Sequence, residues 1–133
     1  MADTFDPTFS QLQRILDLRV QQHGLISSNL ANANTPNYKA REIDFSSSLM
    51  EIMERPDAPM AMSRTDGEHL GGRRGVETPI DILEQEPPAW SADGNSVNPE
   101  EQSGKLMENT LMYKTLARML RRKFDEIRAV VGD

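Results

Sequence analysis

Apolar residues recur at helical spacing in the first third of the chain. They occur as Phe9, Leu12, Leu16, Val20, Ile26 and Leu30, with a neighbouring row of Ile15, Leu18 and Leu25. Positions three and four apart share one face of a helix, so the pattern predicts an amphipathic helix that begins near Pro7 or Phe9 and ends by about Asn34. Its apolar surface is wider than one partner helix can cover.

The last third of the chain carries a sustained heptad pattern. Apolar side chains recur every seven residues as Leu106, Tyr113, Leu120 and Ile127, with Leu116 and Phe124 between them. Asn98 is a good N-cap residue, and Pro99 suits the first helical position. These signals predict a long helix from Pro99 to about Val131.

We expect the two terminal helices to pair as an antiparallel coiled coil, because both carry long apolar stripes. The residues expected to make this pairing are Leu12, Leu16, Val20, Leu106, Tyr113, Leu116, Leu120 and Ile127. Each apolar surface is also too broad for one partner, so the pair should complete its burial against copies of itself or against relatives.

A sharp corner separates the first helix from the rest of the chain. Pro36 lacks a backbone donor and pushes Thr35 towards an extended conformation. The dipeptide Pro36-Asn37 suits the two central positions of a type I turn. After the turn, residues 39–45 alternate charges with only two apolar residues, which favours an extended arm over a packed strand.

The middle of the chain has weaker signals. The pattern predicts a short helix from Ser46 to before Pro56, with Ser48 and Glu51 spaced as a capping box. Prolines and glycines then break any period, which predicts a flexible, acidic region with a short strand or two near 76–83.

The fold predicted from these patterns is mainly α. Two long terminal helices pair as an antiparallel coiled coil, with an extended arm and a poorly ordered, loop-rich middle. The expected segments are 1–34 for the N-terminal helix, 35–54 for the arm and short helix, 55–97 for the flexible middle, and 98–133 for the C-terminal helix.

The composition also indicates that the chain has few residues with which to build a hydrophobic core of its own. Of its 133 residues, 37% are hydrophobic and only 5% are aromatic, and mean hydropathy is -0.60. Burial should therefore be completed by a partner or leave part of the chain loosely ordered. The net charge of -6 argues against nucleic acid as the main partner.

The sequence contains no set of residues with the spacing of a catalytic or metal-binding site. It has no cysteine, and neither His23 nor His69 has metal-ligand spacing to a second ligand. No serine lies near a histidine that could activate it. We therefore expect no catalytic, cofactor-binding or metal-binding residues. The sequence offers no candidate active site for an enzyme.

Targeting signals and the distribution of charge limit the classes of partner that we expect. No apolar run is long enough to span a membrane, and the N-terminus lacks the features of a cleavable signal, so the chain is not expected to be membrane-embedded. A basic cluster lies on the C-terminal helix at Arg118, Arg121, Arg122 and Lys123. Acidic residues follow it at once, which favours helix-dipole complementation or an acidic protein partner over nucleic acid.

The corner also matches a known signature. Residues 27–45 read SSNLANANTPNYKAREIDF, and the pattern S-x-N-[IL]-A-N-x-x-T-x-x-[YF] falls on Ser27, Asn29, Leu30, Ala31, Asn32, Thr35 and Tyr38. This stretch resembles the N-terminal signature of bacterial flagellar axial proteins, which form the rod, the hook and the hook-associated structures. The short chain, without room for a large insert, is most similar to the proximal rod subunits.

The resemblance implies a structural subunit of the flagellar basal body that polymerises through its terminal helices and transmits torque, without catalysis or a cofactor. The signature residues, together with Pro36, would contact neighbouring subunits. Implied partners are other copies of the chain, the rod protein FlgC, the adaptor FliE with the inner-membrane ring, and the flagellar type III export apparatus. The implied location is the periplasmic rod, reached without a cleaved signal peptide.

The residues alone leave one alternative open. A helical adaptor or export-chaperone-like binding protein would also show two broad apolar helices, but it would pair with one partner rather than polymerise.

Overall fold

The computed structural model describes residues 7–55, 60–61 and 78–132. Its elements in chain order are α1 (Pro7–Ala31), β1 (Arg41–Ile43), α2 (Phe45–Glu54), β2 (Met60–Ala61), β3 (Thr78–Pro79), β4 (Ile82–Glu84) and α3 (Pro99–Val131). The predicted mainly helical fold with two long terminal helices is confirmed. Predictions for residues 56–59 and 62–77 lie outside the described residues.

The two long helices run antiparallel. At one end the rings of Phe9 and Phe124 meet edge to face, with their centroids 4.8 Å apart. At the other end the amide of Asn29 lies 3.0 Å from that of Gln102. With 25 and 33 residues, α1 and α3 measure about 37 and 50 Å, so the last turns of α3 extend beyond Pro7, the first described residue.

The signals at the start of α3 act as predicted. The side chain of Asn98 accepts hydrogen bonds from the backbone N–H groups of Glu100 and Glu101, at 3.1 and 3.3 Å. Pro99 occupies the first helical position, where its missing N–H costs nothing. The helix then continues to Val131 and is capped by Gly132.

The corner after α1 is a tight turn of a different type from the one predicted. The N–H of Tyr38 donates to the carbonyl of Thr35 at 3.3 Å, which places Pro36 and Asn37 at the centre. Asn37 has φ 59°, whereas a type I turn needs a negative φ there, so the type I prediction is wrong. A tertiary bond holds this conformation, because the N–H of Asn37 donates to the carbonyl of Asp93 at 2.8 Å.

The extended arm is a strand. β1 pairs antiparallel with β4, and Ile43, opposite Ile82, is only 4% exposed. The expectation of an arm rather than a packed strand is therefore wrong for these residues, because the distant segment 82–84 supplies backbone partners. The expectation of short strands near 76–83 is confirmed by β3 and β4.

A separate cap starts α2. The carboxylate of Asp44 accepts from the N–H and the hydroxyl of Ser47, at 3.1 and 2.8 Å. The helix consequently begins at Phe45, and the predicted capping box is wrong because Ser48 lies inside the helix and donates to the carbonyl of Asp44. The helix ends at Glu54, before Pro56 as predicted.

The main core is small and aliphatic. It consists of the side chains of Leu18, Ile43, Ile52 and Ile80, with Ile15, Leu25 and Phe45 packed around them. These residues come from α1, the arm, α2 and the segment before β4. One side of α1 is therefore buried against the arm and α2, and α3 lies along another side.

Candidate functional site

Asn29 lies at the point where α1, β1 and α3 meet, and it is 1% exposed. Its amide nitrogen donates to the carbonyl of Arg41 at 2.8 Å and to Oε1 of Gln102 at 3.0 Å. Its Oδ1 accepts from the N–H of Arg41 at 2.9 Å. An amide has two donor hydrogens and one acceptor oxygen, so one side chain binds the arm to both long helices.

A second amide closes the end of α1. The amide nitrogen of Asn95 lies 3.0, 3.0 and 2.8 Å from the carbonyl oxygens of Asn32, Ala33 and Thr35. These three carbonyls follow the last residue of α1. Those of Asn32 and Thr35 also accept the backbone N–H groups of Thr35 and Tyr38, so the Asn95 amide adds a tertiary contact to this turn. The segment just before α3 is thereby tied to the segment just after α1.

Further side chains satisfy the backbone of the arm. Oε1 of Gln22 accepts from the N–H of Ile43 at 3.1 Å, and the hydroxyl of Ser96 accepts from the N–H of Ala40 at 2.8 Å. The N–H of Ser96 in turn donates to the carbonyl of Tyr38 at 3.0 Å. We call these amide and hydroxyl contacts of Gln22, Asn29, Asn95, Ser96 and Gln102 the polar corner.

A further polar contact joins α1 to α3 at Asn109. Nδ2 of Asn109 donates to the carbonyl of Arg19 at 2.8 Å, and the Arg19 guanidinium donates back to Oδ1 of Asn109 at 3.3 Å. The central carbon of the same guanidinium group, Cζ, lies 3.8 Å from the ring centroid of Phe45. Burial lowers the pKa of Arg19, with a smaller opposite effect from Glu108. Arg19 thus links both long helices to the start of α2.

The signature residues divide between the interior and the surface. Asn29 is buried, while Leu30, Asn32 and Tyr38 are half-buried. The exposed members are Ser27, Ala31, Thr35 and Pro36. The structure therefore assigns an internal contact to Asn29, and it leaves the exposed members available for contacts outside the chain.

The expected helix-pairing residues are also divided. Leu12 is buried, and Leu16, Leu106, Leu116, Leu120 and Ile127 are half-buried. Val20 and Tyr113 are 55% and 41% exposed, and they line a groove of about 250 Å³ between α1 and α3. Six of the eight residues are thus at least half-buried, and the other two lie at an open groove.

The buried residues of α3 are Gln102 and Asn109, which the apolar pattern did not indicate. They lie seven residues apart, so they share a face of the helix. The same heptad spacing that marked the apolar positions was the available signal for this polar pair. Gln22, Asn95 and Ser96 carried no comparable signal, because their partners come from distant segments.

Large apolar side chains remain exposed along α3. They are Met107, Leu111, Met112, Tyr113, Met119, Phe124, Val130 and Val131. Exposed Met50 and Met53 add to them on α2. A set of apolar residues this extensive is typical of an interaction surface rather than of a monomer in water.

A short ion-pair network lies beside the polar corner. Nζ of Lys105 is 3.0 Å from a carboxylate oxygen of Glu42 and 2.9 Å from one of Glu101. Burial by itself would lower the pKa of Lys105, but the hydrogen bonds to Glu101 and Glu42 outweigh it and raise that pKa. The network joins β1 to the first turns of α3.

Within residues 7–55, 60–61 and 78–132, no group of three or more histidine, cysteine or acidic side chains is placed to hold a metal ion. The helices of that same part of the chain include none with an apolar stretch sufficient to cross a bilayer.

Comparison with known proteins points to one family. A family model described as flagella basal body rod protein matches residues 21–39, which cover the end of α1 and the turn. The chain is 36% identical over 118 residues to the flagellar basal body rod protein FlgB of Yersinia enterocolitica, covering 86% of both proteins. It is 32% identical over 117 residues to FlgB of Salmonella typhimurium, covering 86% of this chain and 85% of that protein. FlgB of Cereibacter sphaeroides is 33% identical over 116 residues, covering 87% of both. The chain therefore belongs to the FlgB family of flagellar basal body rod proteins.

Proposed function

We propose that this chain is a structural subunit of the proximal rod, which polymerises through its terminal helices, transmits torque and catalyses no reaction. The observation that carries the proposal is the exposed apolar surface of α3. Leu111, near the middle of that helix, is 65% exposed, although α1 runs alongside. A chain with so small an aliphatic core gains stability when neighbouring subunits cover this surface.

The polar corner supports the proposed role in transmitting torque. Asn29 and Asn95 hold the arm, α1 and α3 in one arrangement through buried hydrogen bonds. Buried polar networks in which all groups are satisfied are costly to distort. The exposed signature residues Ser27, Thr35 and Pro36 would then present a fixed shape to a neighbouring subunit.

The finer assignments belong to the same proposal. Membership in the family supports a place in the flagellar basal body. We propose that the subunit lies in the periplasmic rod, after passage through the type III export apparatus without a cleaved signal peptide. Its neighbours would be other copies of the chain, the rod protein FlgC, and the adaptor FliE with the inner-membrane ring.

A substitution on the exposed face of α3 tests the proposal. Leu111→Asp places a charge on the surface that neighbours would cover, whereas Ser103→Asp changes an exposed residue of the same helix outside the apolar set. In a strain that lacks its own copy of the gene, Leu111→Asp should abolish swimming and rod formation, and Ser103→Asp should restore both. The free energy of unfolding of each purified variant should lie within about 0.5 kcal/mol of the wild-type value, because both sites are exposed. Normal swimming with Leu111→Asp would contradict the proposal.

The adaptor alternative predicts a different stoichiometry. An adaptor would form one complex of fixed size with a single partner, whereas a rod subunit forms species that grow with concentration. Light scattering over a concentration series separates the two outcomes. A fully helical, sharply melting monomer at all concentrations would favour the adaptor.

A further inference from the structure

An apolar groove of about 370 Å³ lies between the outward side of α1 and the pair of strands β1 and β4. Its apolar lining comes from Val20, Leu25, Ile43, Ile80 and Ile82. Ile43 and Ile80 are each 4% exposed, whereas Val20 is 55% exposed. We call it the strand-side groove. The groove thus runs from the main core to the surface, where another molecule can cover it.

Gly24 lies in the same groove, within α1. Glycine is a poor helix former, second only to proline. A Cβ at this position would meet no atom within 4 Å, so no close contact inside the described part of the chain requires a glycine there. A surface glycine permits the close approach of a second backbone or of a large side chain. The groove therefore has room for a side chain of another molecule at Gly24.

An acidic side chain borders the groove. Asp17 lies on the same face of α1 as Gly24, because seven residues separate them, and it is about 10 Å away along the helix. Its side chain is exposed, and none of the ion pairs in the described part of the chain includes it. Its negative charge is therefore available to a cation of another molecule.

The outward face of α3 carries a leucine and a cation at the same spacing. Leu111 is 65% exposed, and Arg118, seven residues further on, is also exposed. They share one face of the helix and lie about 10 Å apart. Among the described residues no carboxylate forms an ion pair with Arg118. This face of α3 therefore presents an apolar group and an unneutralised cation together.

The two surfaces match when the helices run in opposite directions, as α1 and α3 do within one chain. The α3 helix of a second copy can lie antiparallel to α1 with its Leu111 over Gly24. Its Arg118 then lies beside Asp17, because each pair is seven residues apart. A phosphate of a lipid or of a nucleic acid would instead be repelled by the carboxylate. The occupant that fits both the apolar groove and the charge at its border is a second copy.

We propose that Leu111 of one copy enters the strand-side groove of a second copy at Gly24, and that Arg118 of the first pairs with Asp17 of the second. This inference deepens the proposed rod function and rests on it, because it assigns a place to the exposed surface of α3. The two surfaces are different, so the contact lacks a two-fold axis. It can continue from copy to copy, either as a ring or as a filament.

Exchange of the two charges tests the contact in the purified full chain. Asp17→Arg and Arg118→Asp each place like charges opposite each other. Each should weaken self-association by about fivefold, measured by sedimentation velocity at about 100 mM salt. The chain with both substitutions again has opposite charges and should associate within about twofold of the wild type. Both side chains are exposed, so none of these changes should lower the melting temperature.

A second double variant controls for net charge. Asp17→Arg with Arg128→Asp carries the same charges, but its new carboxylate lies about 15 Å further along α3 than Arg118 does. This distance exceeds the Debye length of about 10 Å at 100 mM salt. The control should therefore remain as weak in self-association as Asp17→Arg alone.

Filling the groove tests the apolar part of the contact. Gly24→Leu places a side chain where Leu111 of the second copy would lie, so self-association should weaken by about tenfold or more. Leucine is the better helix former, and the site is open, so the melting temperature should not fall. Ser46→Leu adds the same side chain at an exposed position of α2 and should leave self-association within about twofold of the wild type.

Three outcomes would overturn the inference. One is a chain with exchanged charges that associates no better than either single variant. Another is self-association of the Gly24→Leu chain at the wild-type level, even if its strain does not swim, because the groove would then serve a different protein. The third is a wild-type chain that stays monomeric over the whole concentration series.

Swimming assays separate this inference from the rod function. If Gly24→Leu and Asp17→Arg support swimming while Leu111→Asp does not, the groove contact is wrong and the structural role stands. If all three chains support swimming, both proposals fail. Loss of swimming with Asp17→Arg, and its return when Arg118→Asp is added, is the result we expect.

Discussion

The two sides of α1 are packed in different ways. Towards the arm and α2 the contact is aliphatic, with Leu18, Ile43 and Ile52 at most 4% exposed. Towards α3 the contacts include buried polar pairs, Asn29 with Gln102 and Arg19 with Asn109, besides the aromatic contact of Phe9 with Phe124. Apolar packing tolerates many arrangements, whereas a hydrogen-bonded amide pair fits only one register. The comparison suggests that the aliphatic side supplies stability and the polar side determines how α3 is placed.

The largest effect should come from the aliphatic side. Ile52→Ala removes a side chain that is 1% exposed and leaves a cavity, so the free energy of unfolding should fall by about 2–5 kcal/mol. Met53→Ala, one position along on the exposed face of α2, should change it by less than about 0.5 kcal/mol. Chemical denaturation of the purified chains measures both. Equal effects at the two positions would show that α2 is not packed on α1 in solution.

Loss of Asn29 should have the next largest effect. Asn29→Ala leaves the N–H and carbonyl of Arg41 and the amide of Gln102 without their partner, which should cost about 1–3 kcal/mol. Asn34→Ala, an exposed asparagine at the same corner, is the matched control and should be nearly neutral. Hydrogen exchange adds a local measurement, because the amide of Arg41 should lose its protection. Retained protection at Arg41 would contradict the role given to Asn29.

Two glycines should respond in opposite directions to the same substitution. Gly94 has φ +71°, and an added Cβ would lie 2.6 Å from Oδ1 of Asn37, so Gly94→Ala should destabilise the corner by about 1–2 kcal/mol. Gly104 lies in α3 with no atom within 4 Å of an added Cβ. Gly104→Ala should therefore stabilise the chain by about 0.5–1 kcal/mol. Thermal unfolding of both variants checks the signs, and a stabilised Gly94→Ala chain would refute the geometry of the turn.

The smallest effect concerns the cap of α2, the helix that completes the aliphatic side. The backbone N–H and then the hydroxyl of Ser47 lower the pKa of Asp44 below its ordinary value of 3.8. A lowered folded-state pKa gives a contribution that is complete above the unfolded pKa and is lost as pH falls through the folded one. Asp44→Asn cannot titrate, so its stability should decline less steeply than that of the wild type below about pH 4. Parallel pH profiles would exclude this contribution.

Local signals predicted the ends of the helices well. Asn98 and Pro99 act within one turn of chain, and so their effect does not depend on the rest of the fold. The same holds for the periodic apolar residues of α1 and α3. The cap of α2 was placed incorrectly because Asp44, Ser47 and Ser48 are all able to cap. Asp44 is the cap, and Ser48 lies inside the helix, where its hydroxyl donates to the carbonyl of Asp44.

The candidate site was predictable only in part. The signature identified Asn29 through resemblance, but its partners Arg41 and Gln102 lie 12 and 73 residues away in sequence. No period or spacing connects such positions. The basic cluster on α3 was visible in the sequence, whereas the contacts of Asn95 exist only because the segment before α3 folds back onto the corner.

The sequence by itself determined the two long helices, the N-cap of α3, the break at Pro36 and the likeness to flagellar rod proteins, because these depend on neighbouring residues or on the order of residues. The tertiary structure alone decided the left-handed conformation of Asn37, the pairing of β1 with β4, and the burial of polar rather than apolar residues on α3. Each of these requires a hydrogen-bond partner from a distant segment, and a buried polar group is stable only when that partner is present.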